Sequence, residues 1–269
     1  MNPLRCPLCH HPLQQDEKSA RCNYGHCFDR AREGYFNLLP VQQKNSKNPG
    51  DDAAMVAARH DFLEAGFYAP FRDTLFGLIA PLKPAHLLDS GCGEGWYTQA
   101  FTALAPTITA FDISKNAVRR AAKRQRNITW LVASSNDIPL LDASIDVMTA
   151  IFSPINAAEA ARVIRPNGYL LIAAPGQRHL WELREALYPE VRLPQAEKWQ
   201  NELAAHFDFS HEAEIRFRLN LPNNASLRHL LHMTPHYWRA PRERRAHVET
   251  LPAFSVEADF RLLLFRQRR

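Results

Sequence analysis

The segment HLLDSGCGEG, residues 86–95, is the most informative part of this 269-residue chain. Its apolar first residues run directly into a turn with glycines at 91, 93 and 95, and residues 96–104 then show the amphipathic pattern of a helix. Glycine lets the backbone pass close to a ligand in the crevice above the carboxyl edge of a sheet. The segment therefore predicts a strand, a ligand-binding turn and a helix, in that order.

Short apolar runs and amphipathic stretches alternate on both sides of this turn. The apolar runs, which we predict to be buried strands, are residues 86–89, 108–113, 128–132, 145–152 and 169–174. Helical stretches lie between most of them, at 96–104, 117–125 and 157–164. Such alternation implies an α/β fold, a Rossmann-like parallel sheet with helices on both faces. Segments 214–221 and 254–265 predict an antiparallel pair at the sheet edge, separated by a helix around 225–233.

Two acids near the turn help to identify the ligand. Asp89 leads into the turn, and Asp112 ends the next predicted strand, where an acid accepts hydrogen bonds from ribose hydroxyls. Dinucleotide-dependent dehydrogenases share this arrangement, but their glycine spacing is G-x-G-x-x-G. An acid before the turn also suits a cofactor that has a methionine ammonium and no pyrophosphate. The segment closely resembles the LDxGxGxG turn of class I methyltransferases, which implies S-adenosylmethionine as the cofactor.

Four of the five cysteines lie within the first 27 residues, a crowding that predicts a metal site rather than a disulfide framework in a reducing compartment. The predicted Zn²⁺ ligands are Cys6, Cys9, Cys22 and His26. Thiolates with one imidazole suit zinc, and four protein ligands leave no open position for catalysis. Cys27 competes with His26 for the fourth place, and His10 and His11 are weaker rivals. A DNA-reading finger is not expected, because the third ligand is a cysteine and no recognition helix of the usual length lies between the pairs.

A polar stretch, QQKNSKNPGDD at residues 42–52, has the composition of a linker. We therefore divide the chain into a zinc module (1–41), a linker with helices (42–84) and a catalytic domain (85–269). Residues 52–80 carry apolar side chains at helical spacing.

Charge and hydropathy indicate the kind of partner. The net charge of +5 and the pI of about 9.0 suit a polyanion. No apolar run approaches the roughly 18 residues that cross a bilayer, and the first residues do not form a signal peptide. We expect a cytoplasmic protein without a membrane partner.

Several motifs together resemble the 23S rRNA (guanine-N1)-methyltransferase family of the RlmA type, over essentially the whole chain. They are the zinc pattern, FDRAREGYFNLL (28–39), the GDD, AR, FL and GFY elements between 50 and 68, LDSGCGEG (88–95), PGQRHL (175–180) and MTP with WR (233–239). The resemblance implies methyl transfer to N1 of a guanine in a hairpin of 23S rRNA. It also implies that the zinc module helps to hold the RNA, that the enzyme is a homodimer and that DNA is not a partner.

The resemblance also implies roles for individual residues. Gly93 and Glu94 match the cofactor turn, and Asp112 matches the ribose-binding acid. Tyr68 matches an aromatic that closes over the cofactor and His179 a residue at its methionine end; taken alone, these two are more typical of a core aromatic and of a helix N-terminal histidine. The predicted cofactor-binding residues are Tyr68, Asp89, Gly91, Gly93, Glu94, Gly95, Asp112 and His179.

The reaction needs further groups that the sequence does not single out. Guanine N1 carries a proton at neutral pH, so a general base is expected, and the candidates are Asp51, Asp61, His179 and His236. Ser134 and Asn136 are candidates for bonding adenine, with a plain turn as the alternative, and Asn156 is a candidate wall of the guanine pocket. The candidates for stacking on a flipped base are Phe67, Tyr68, Tyr237 and Trp238.

Positive charge concentrates in three groups: Arg21, Arg30 and Arg32; Arg119, Arg120, Lys123 and Arg124; and Arg242, Arg244 and Arg245. We expect the first group to contact RNA, because zinc holds it rigid, and the second to be a solvated helix face. Two alternatives stay open, a methyltransferase acting on another RNA or a small molecule, and a catalytically inactive RNA-binding protein.

Overall fold

The structure, a computed structural model, describes residues 3–43, 50, 52–193 and 198–268. The strands are β1 (Gln14–Gln15), β2 (Ser19–Arg21), β3 (Cys27–Asp29), β4 (Tyr35–Asn37), β5 (His86–Ser90), β6 (Thr107–Asp112), β7 (Thr129–Val132), β8 (Ile145–Ile151), β9 (Ile164–Pro175), β10 (Phe207–Leu221) and β11 (Phe254–Gln267). The α-helices are α1 (Ala53–Glu64), α2 (Ala69–Ile79), α3 (Trp96–Ala100), α4 (Lys115–Arg124), α5 (Ala157–Val163), α6 (Trp181–Leu187), α7 (Lys198–Leu203), α8 (Asn224–His232), α9 (His236–Arg239) and α10 (Arg242–Val248).

Eight strands form the central sheet in the order β10-β11-β9-β8-β5-β6-β7-β4. The pairs from β9 to β4 are parallel, and β10 and β11 continue the sheet as antiparallel strands beyond β9. All five residues of β5 are buried, as expected for a central strand covered on both faces. The predicted Rossmann-like sheet and its antiparallel edge are thus confirmed.

The first strands form a ribbon of their own, with β1, β2 and β3 antiparallel. The next strand, β4, instead pairs in parallel with β7 of the central sheet. Leu4 and Phe36 are buried in one hydrophobic cluster with Leu131 and Leu140. The last strand of the predicted module, residues 1–41, therefore extends the central sheet, and apolar side chains of the module share that sheet's core.

The helical pattern predicted over residues 52–80 corresponds to two helices. Asp52 begins α1 by accepting a hydrogen bond from the backbone N–H of Met55 at 2.8 Å. Gly66, at φ 80°, lies between α1 and α2 in a conformation that most residues avoid. Within the described ranges, no helix has the length and apolar character that crossing a membrane requires.

Candidate functional site

A cavity of about 980 Å³ lies at the carboxyl ends of the parallel strands. The loops after five neighbouring strands line it, from β7 through β6, β5 and β8 to β9. Residues of α1, α6 and α9 complete its walls. This is the edge at which open α/β sheets bind their ligands.

The glycine turn after β5 forms part of the cavity wall. A Cβ on Gly91, at φ 71°, would lie 2.3 Å from Cβ of Ser153, so only glycine fits. A Cβ on Gly93, at φ 56°, would meet nothing within 4 Å. The backbone at Gly93 therefore borders open space that a bound cofactor can fill.

Asp89 and Gly95, two of the predicted cofactor-binding residues, support the turn and are not among the residues that line the cavity. The Asp89 carboxylate is buried and accepts hydrogen bonds from Thr98 Oγ1 at 2.6 Å and Thr149 Oγ1 at 2.8 Å. Burial raises its pKa to about 6. A Cβ on Gly95 would lie 2.5 Å from the ring of Trp130, so this glycine allows the following helix to pack closely.

Asp112 lies at the end of β6 and lines the cavity, as predicted for the acid that binds ribose. Its Oδ2 accepts a hydrogen bond from the backbone N–H of Gly93 at 2.9 Å, and its Oδ1 accepts one from Ser114 at 2.7 Å. These bonds fix the carboxylate beside the glycine turn.

Glu94 also lines the cavity, but its carboxylate is buried beside a histidine and two arginines. His60 Nδ1 lies 3.0 Å away, and Arg120 and Arg124 lie at 3.3 and 3.6 Å. Burial raises the pKa of Glu94, and these three neighbours oppose that rise. Arg120 and Arg124 belong to the group of four basic residues that was predicted to form a solvated face of α4. They instead neutralise the buried Glu94 of the glycine turn.

Of the four predicted stacking aromatics, Tyr68 lines the cavity, whereas Phe67, Tyr237 and Trp238 do not. The Tyr68 ring is buried edge-on against Phe260 at 5.1 Å, and burial raises the pKa of its hydroxyl well above its usual range. The indole N–H of Trp238 instead donates to Met55 Sδ on α1.

Phe152 is an aromatic of the cavity that the sequence analysis missed. It follows β8, is 42% exposed and adopts φ 54°, a conformation that is strained for a large side chain. Its position at the carboxyl end of a predicted strand, before Ser153-Pro154, was the available signal. Asn156, predicted to wall the guanine pocket, instead begins α5 by accepting a hydrogen bond from the Glu159 backbone N–H at 3.1 Å.

Ser134 and Asn136, the two candidates for bonding adenine, both line the cavity in the loop after β7. The Ser134 hydroxyl accepts a hydrogen bond from the Asn136 backbone N–H at 3.2 Å, which tightens the loop.

His179 lines the cavity after β9, and its ring is held by the backbone of Asp259, a residue that the sequence analysis missed. Its Nδ1 accepts a hydrogen bond from the backbone N–H of Asp259 at 3.3 Å, and burial lowers its pKa to about 3. The proton of the neutral ring is therefore on Nε2. The buried Asp259 carboxylate accepts from the Arg178 backbone N–H and from Arg216 Nε. The available signal was an acid between the apolar residues Ala258 and Phe260 of a predicted strand.

The remaining candidate bases differ in whether they line the cavity. His236 lines the cavity, its Nδ1 lies 3.1 Å from the Tyr188 hydroxyl, and burial lowers its pKa to about 4. Asp61 lies outside the cavity, 3.6 Å from His229. Asp51 lies outside the described residues. We therefore do not consider Asp61 further as a base. Because Nδ1 of His179 already accepts a hydrogen bond, its other ring nitrogen, Nε2, is a donor.

The ribbon gathers the four predicted metal ligands, whose ligating atoms all lie within 4.8 Å of one another. Cys9 Sγ and Cys22 Sγ are 3.6 Å apart, and His26 Nδ1 lies 3.4 Å from Cys22 Sγ. Ligands at about 2.3 Å from a tetrahedral zinc ion are about 3.8 Å apart, so the donor set and spacing fit Zn²⁺. Cys27 is exposed and stands outside this group.

Comparison with known proteins agrees with this geometry. Residues 4–47 match the zinc-ribbon family model described as "RlmA, N-terminal", and residues 88–172 match the model described as "Methyltransferase domain". A Streptomyces fradiae protein named 23S rRNA (guanine(748)-N(1))-methyltransferase is 35% identical, over 93% of this chain and 91% of that protein. A Micromonospora griseorubida protein, provisionally named 23S rRNA (guanine-N(1)-)-methyltransferase, is 34% identical over 98% of this chain and 97% of its own length.

Solved structures share the fold. A provisionally named methyltransferase of Bacillus halodurans superposes with a TM-score of 0.54 at 16% identity, covering 74% of this chain and 99% of that one. At this level of identity the likeness concerns the fold alone.

Proposed function

Because the chain belongs to the 23S rRNA (guanine-N1)-methyltransferase family, we propose that it transfers the methyl group of S-adenosylmethionine to N1 of one guanine in a hairpin of 23S rRNA. The observation that carries the proposal is the length of the cavity, which spans the ends of five neighbouring strands. Strands about 4.8 Å apart make this span roughly 19 Å, enough for a cofactor and a base side by side.

The half of the cavity at β5, β6 and β7 suits the cofactor. Asp112 offers carboxylate oxygen to ribose hydroxyls, and Ser134 and Asn136 offer polar groups to adenine. Gly93 leaves room beside the turn, and Tyr68 contributes an aromatic ring to the lining of the same cavity. The bound sulfonium supplies a methyl carbon with a thioether leaving group, so these residues act by holding that carbon in line with the acceptor.

The half of the cavity at β8 and β9 suits the acceptor. A guanine within a hairpin has to leave its stack before its Watson–Crick edge can enter a pocket. The ring of Phe152 is partly exposed at the wall of this half. We propose that it stacks on the flipped guanine.

The zinc ribbon supports RNA binding through its exposed charges. Arg21 and Arg32 are exposed on a segment that the ribbon and β4 hold to the catalytic sheet. Replacing either arginine by alanine should lower the slope of log Kd against log salt concentration by about 1, measured with a 23S rRNA fragment. If the substrate instead carried little charge, the Kd of the wild type would not depend on salt concentration.

Two further properties follow from the family resemblance and are proposals. We propose a homodimer, for which light scattering behind a sizing column should give twice the chain mass of 30.7 kDa. We also propose that the enzyme works in the cytoplasm, where the rRNA substrate is found.

The proposed reaction is tested on purified 23S rRNA from cells that lack the gene. The protein and methyl-labelled cofactor should introduce label and create one new reverse-transcription stop at a guanine, because a methyl on N1 blocks base pairing. Ser144→Ala, far from the cavity lining, is a control that should keep the stop. Label without a stop, or stops unchanged by loss of the gene, would contradict the proposal.

A further inference from the structure

The acceptor half of the cavity is lined by cationic and imidazole side chains. They are His179, Arg184, Arg192, His236 and Arg239. Within the described part of the chain, the acids that line the cavity are Glu94 and Asp112, and both stand at the cofactor turn. This half of the cavity therefore favours a ligand with negative charge or acceptor atoms.

Arg184 is the most enclosed cation of this group, since it lies on α6 and is 8% exposed. Its Nη1 donates to the carbonyl oxygens of Gln177 and His179 at 3.3 and 3.5 Å, and its Nη2 donates to that of Arg192. These partners are neutral, and no carboxylate of the described residues lies within ion-pair distance of the guanidinium.

The buried guanidinium of Arg184 therefore lacks a carboxylate partner among the described residues and has N–H donors that the protein does not use. Burial lowers the pKa of Arg184, and the Tyr188 hydroxyl opposes that shift in part. A guanidinium has five N–H donors, and the three carbonyls use three of them. The remaining donors, on Nε and Nη2, form the fork with which arginine binds two acceptors at once.

We propose that Arg184 binds O6 and N7 of the target guanine and so both selects the base and activates its N1. This inference rests on the proposed function and names the residue that recognises the substrate. Arginine bonded to O6 and N7 is the commonest specific contact to guanine, and it leaves N1 free to face the methyl donor. Adenine presents an amino group in place of O6, which would oppose the guanidinium.

The same contact accounts for the chemistry at N1. N1 forms its bond to the methyl carbon as the carbon–sulfur bond breaks, and the electron pair of that bond stays on sulfur. The N1 proton passes to water, and the negative charge that its loss leaves on N1 and O6 is stabilised by the guanidinium.

No strong base is needed in this arrangement, and the surrounding groups disfavour one. Nε2 of His179 carries the ring proton, because Nδ1 accepts from a backbone N–H. Protonation of His236 is opposed by burial and by Arg184 and Arg239. Tyr188, the other titratable group beside these cations, has its pKa raised by burial.

The test compares guanine with 7-deazaguanine at the target position of a synthetic 23S rRNA hairpin, which removes N7 alone. The wild type should lose about 10-fold in kcat/KM on the deaza substrate. Arg184→Gln should lose about 10- to 100-fold on guanine and then distinguish the two bases by less than about 2-fold. Its kcat profile should also move to higher pH, because N1 loses its proton less readily. Arg178→Gln, a change in the neighbouring exposed side chain that does not line the cavity, is the matched control.

Calorimetry of S-adenosylmethionine binding tests whether Arg184 instead holds the methionine carboxylate of the cofactor. Its Kd should change by less than about 2-fold in Arg184→Gln. A large loss of cofactor affinity with the 7-deaza effect intact would overturn the proposal in favour of the methionine carboxylate, and equal losses on both bases would overturn it in favour of an RNA phosphate. If Arg184→Gln does not fold, Arg184→Lys keeps the charge and should still lose the base discrimination. A wild type that methylates no guanine would refute the proposed function instead.

Discussion

Asp112 joins the glycine turn to the cavity at the scale of single residues. Its carboxylate accepts from Gly93 N–H while facing the cavity. Asp112→Asn should weaken S-adenosylmethionine binding about 10- to 100-fold, the range expected for losing hydrogen bonds to a charged acceptor. Calorimetry measures this, with Asp142→Asn, at an exposed ion pair with Arg162, as the control. Equal affinities for the two variants would contradict the role.

Asp89 makes a separate prediction about pH. Its pKa is about 6 in the folded protein against 3.8 when exposed, because burial disfavours the carboxylate. Between these values the folded state binds more protons than the unfolded state, so this group's stabilising effect is complete below pH 3.8 and is lost as pH rises towards 6 and beyond. The loss is at most roughly 3 kcal/mol.

Asp89→Asn removes this titration and keeps the shape of the side chain. The free energy of unfolding in urea, measured at pH 4.5, 5.5 and 6.5, should therefore fall less steeply with pH in the variant than in the wild type. Parallel curves for the two proteins would mean that Asp89 does not titrate in this window.

At the scale of elements, one ion pair joins the zinc ribbon to the loop after β7. Arg5, which is buried, pairs with Asp137 at 2.5 Å. Asp137 ends the loop that brings Ser134 and Asn136 to the cavity, and it also accepts from Gln43. The ribbon therefore holds in place the loop to which we assign adenine.

Arg5→Met should destabilise the protein by on the order of 3 kcal/mol, because it leaves a largely buried carboxylate without its main partner. It should also weaken cofactor binding, although Arg5 does not line the cavity. The double variant with Asp137→Asn should regain part of both losses, since no charge is then stranded. Urea unfolding and calorimetry measure the cycle, and simple additivity of the two changes would contradict the coupling.

At the scale of the whole molecule, the ribbon and the catalytic sheet share a hydrophobic core. Loss of the metal should consequently affect the entire protein rather than a detached domain. Cys22→Ser should lose bound zinc and lower the Tm of a single unfolding transition, because metal binding supplies part of the folding free energy.

Cys27→Ser is the matched control, since Cys27 lies five residues along the same hairpin, is exposed and stands outside the ligand group. It should keep one zinc per chain and an unchanged Tm, measured by elemental analysis and calorimetry. Loss of zinc in this control would reassign the fourth ligand. Two separate transitions in the wild type would contradict the shared core.

The sequence alone determined the features that depend on short spacings. The alternation of apolar runs with amphipathic stretches predicted the strands and helices. The GxGxG turn predicted the edge of the sheet at which a ligand binds. The metal ligands were found because they lie within residues 6–26. Within such short segments, chain geometry leaves few arrangements, so spacing specifies which side chains meet.

Which distant residues share one site became known from the folded structure. It buried Asp89 beneath the turn, added β4 to the catalytic sheet and brought Arg184 and His236 to one cavity. It also paired Arg5 with Asp137, 132 residues away. Contacts between remote segments follow from how whole elements pack, and the spacing of residues along one chain carries no direct record of that packing.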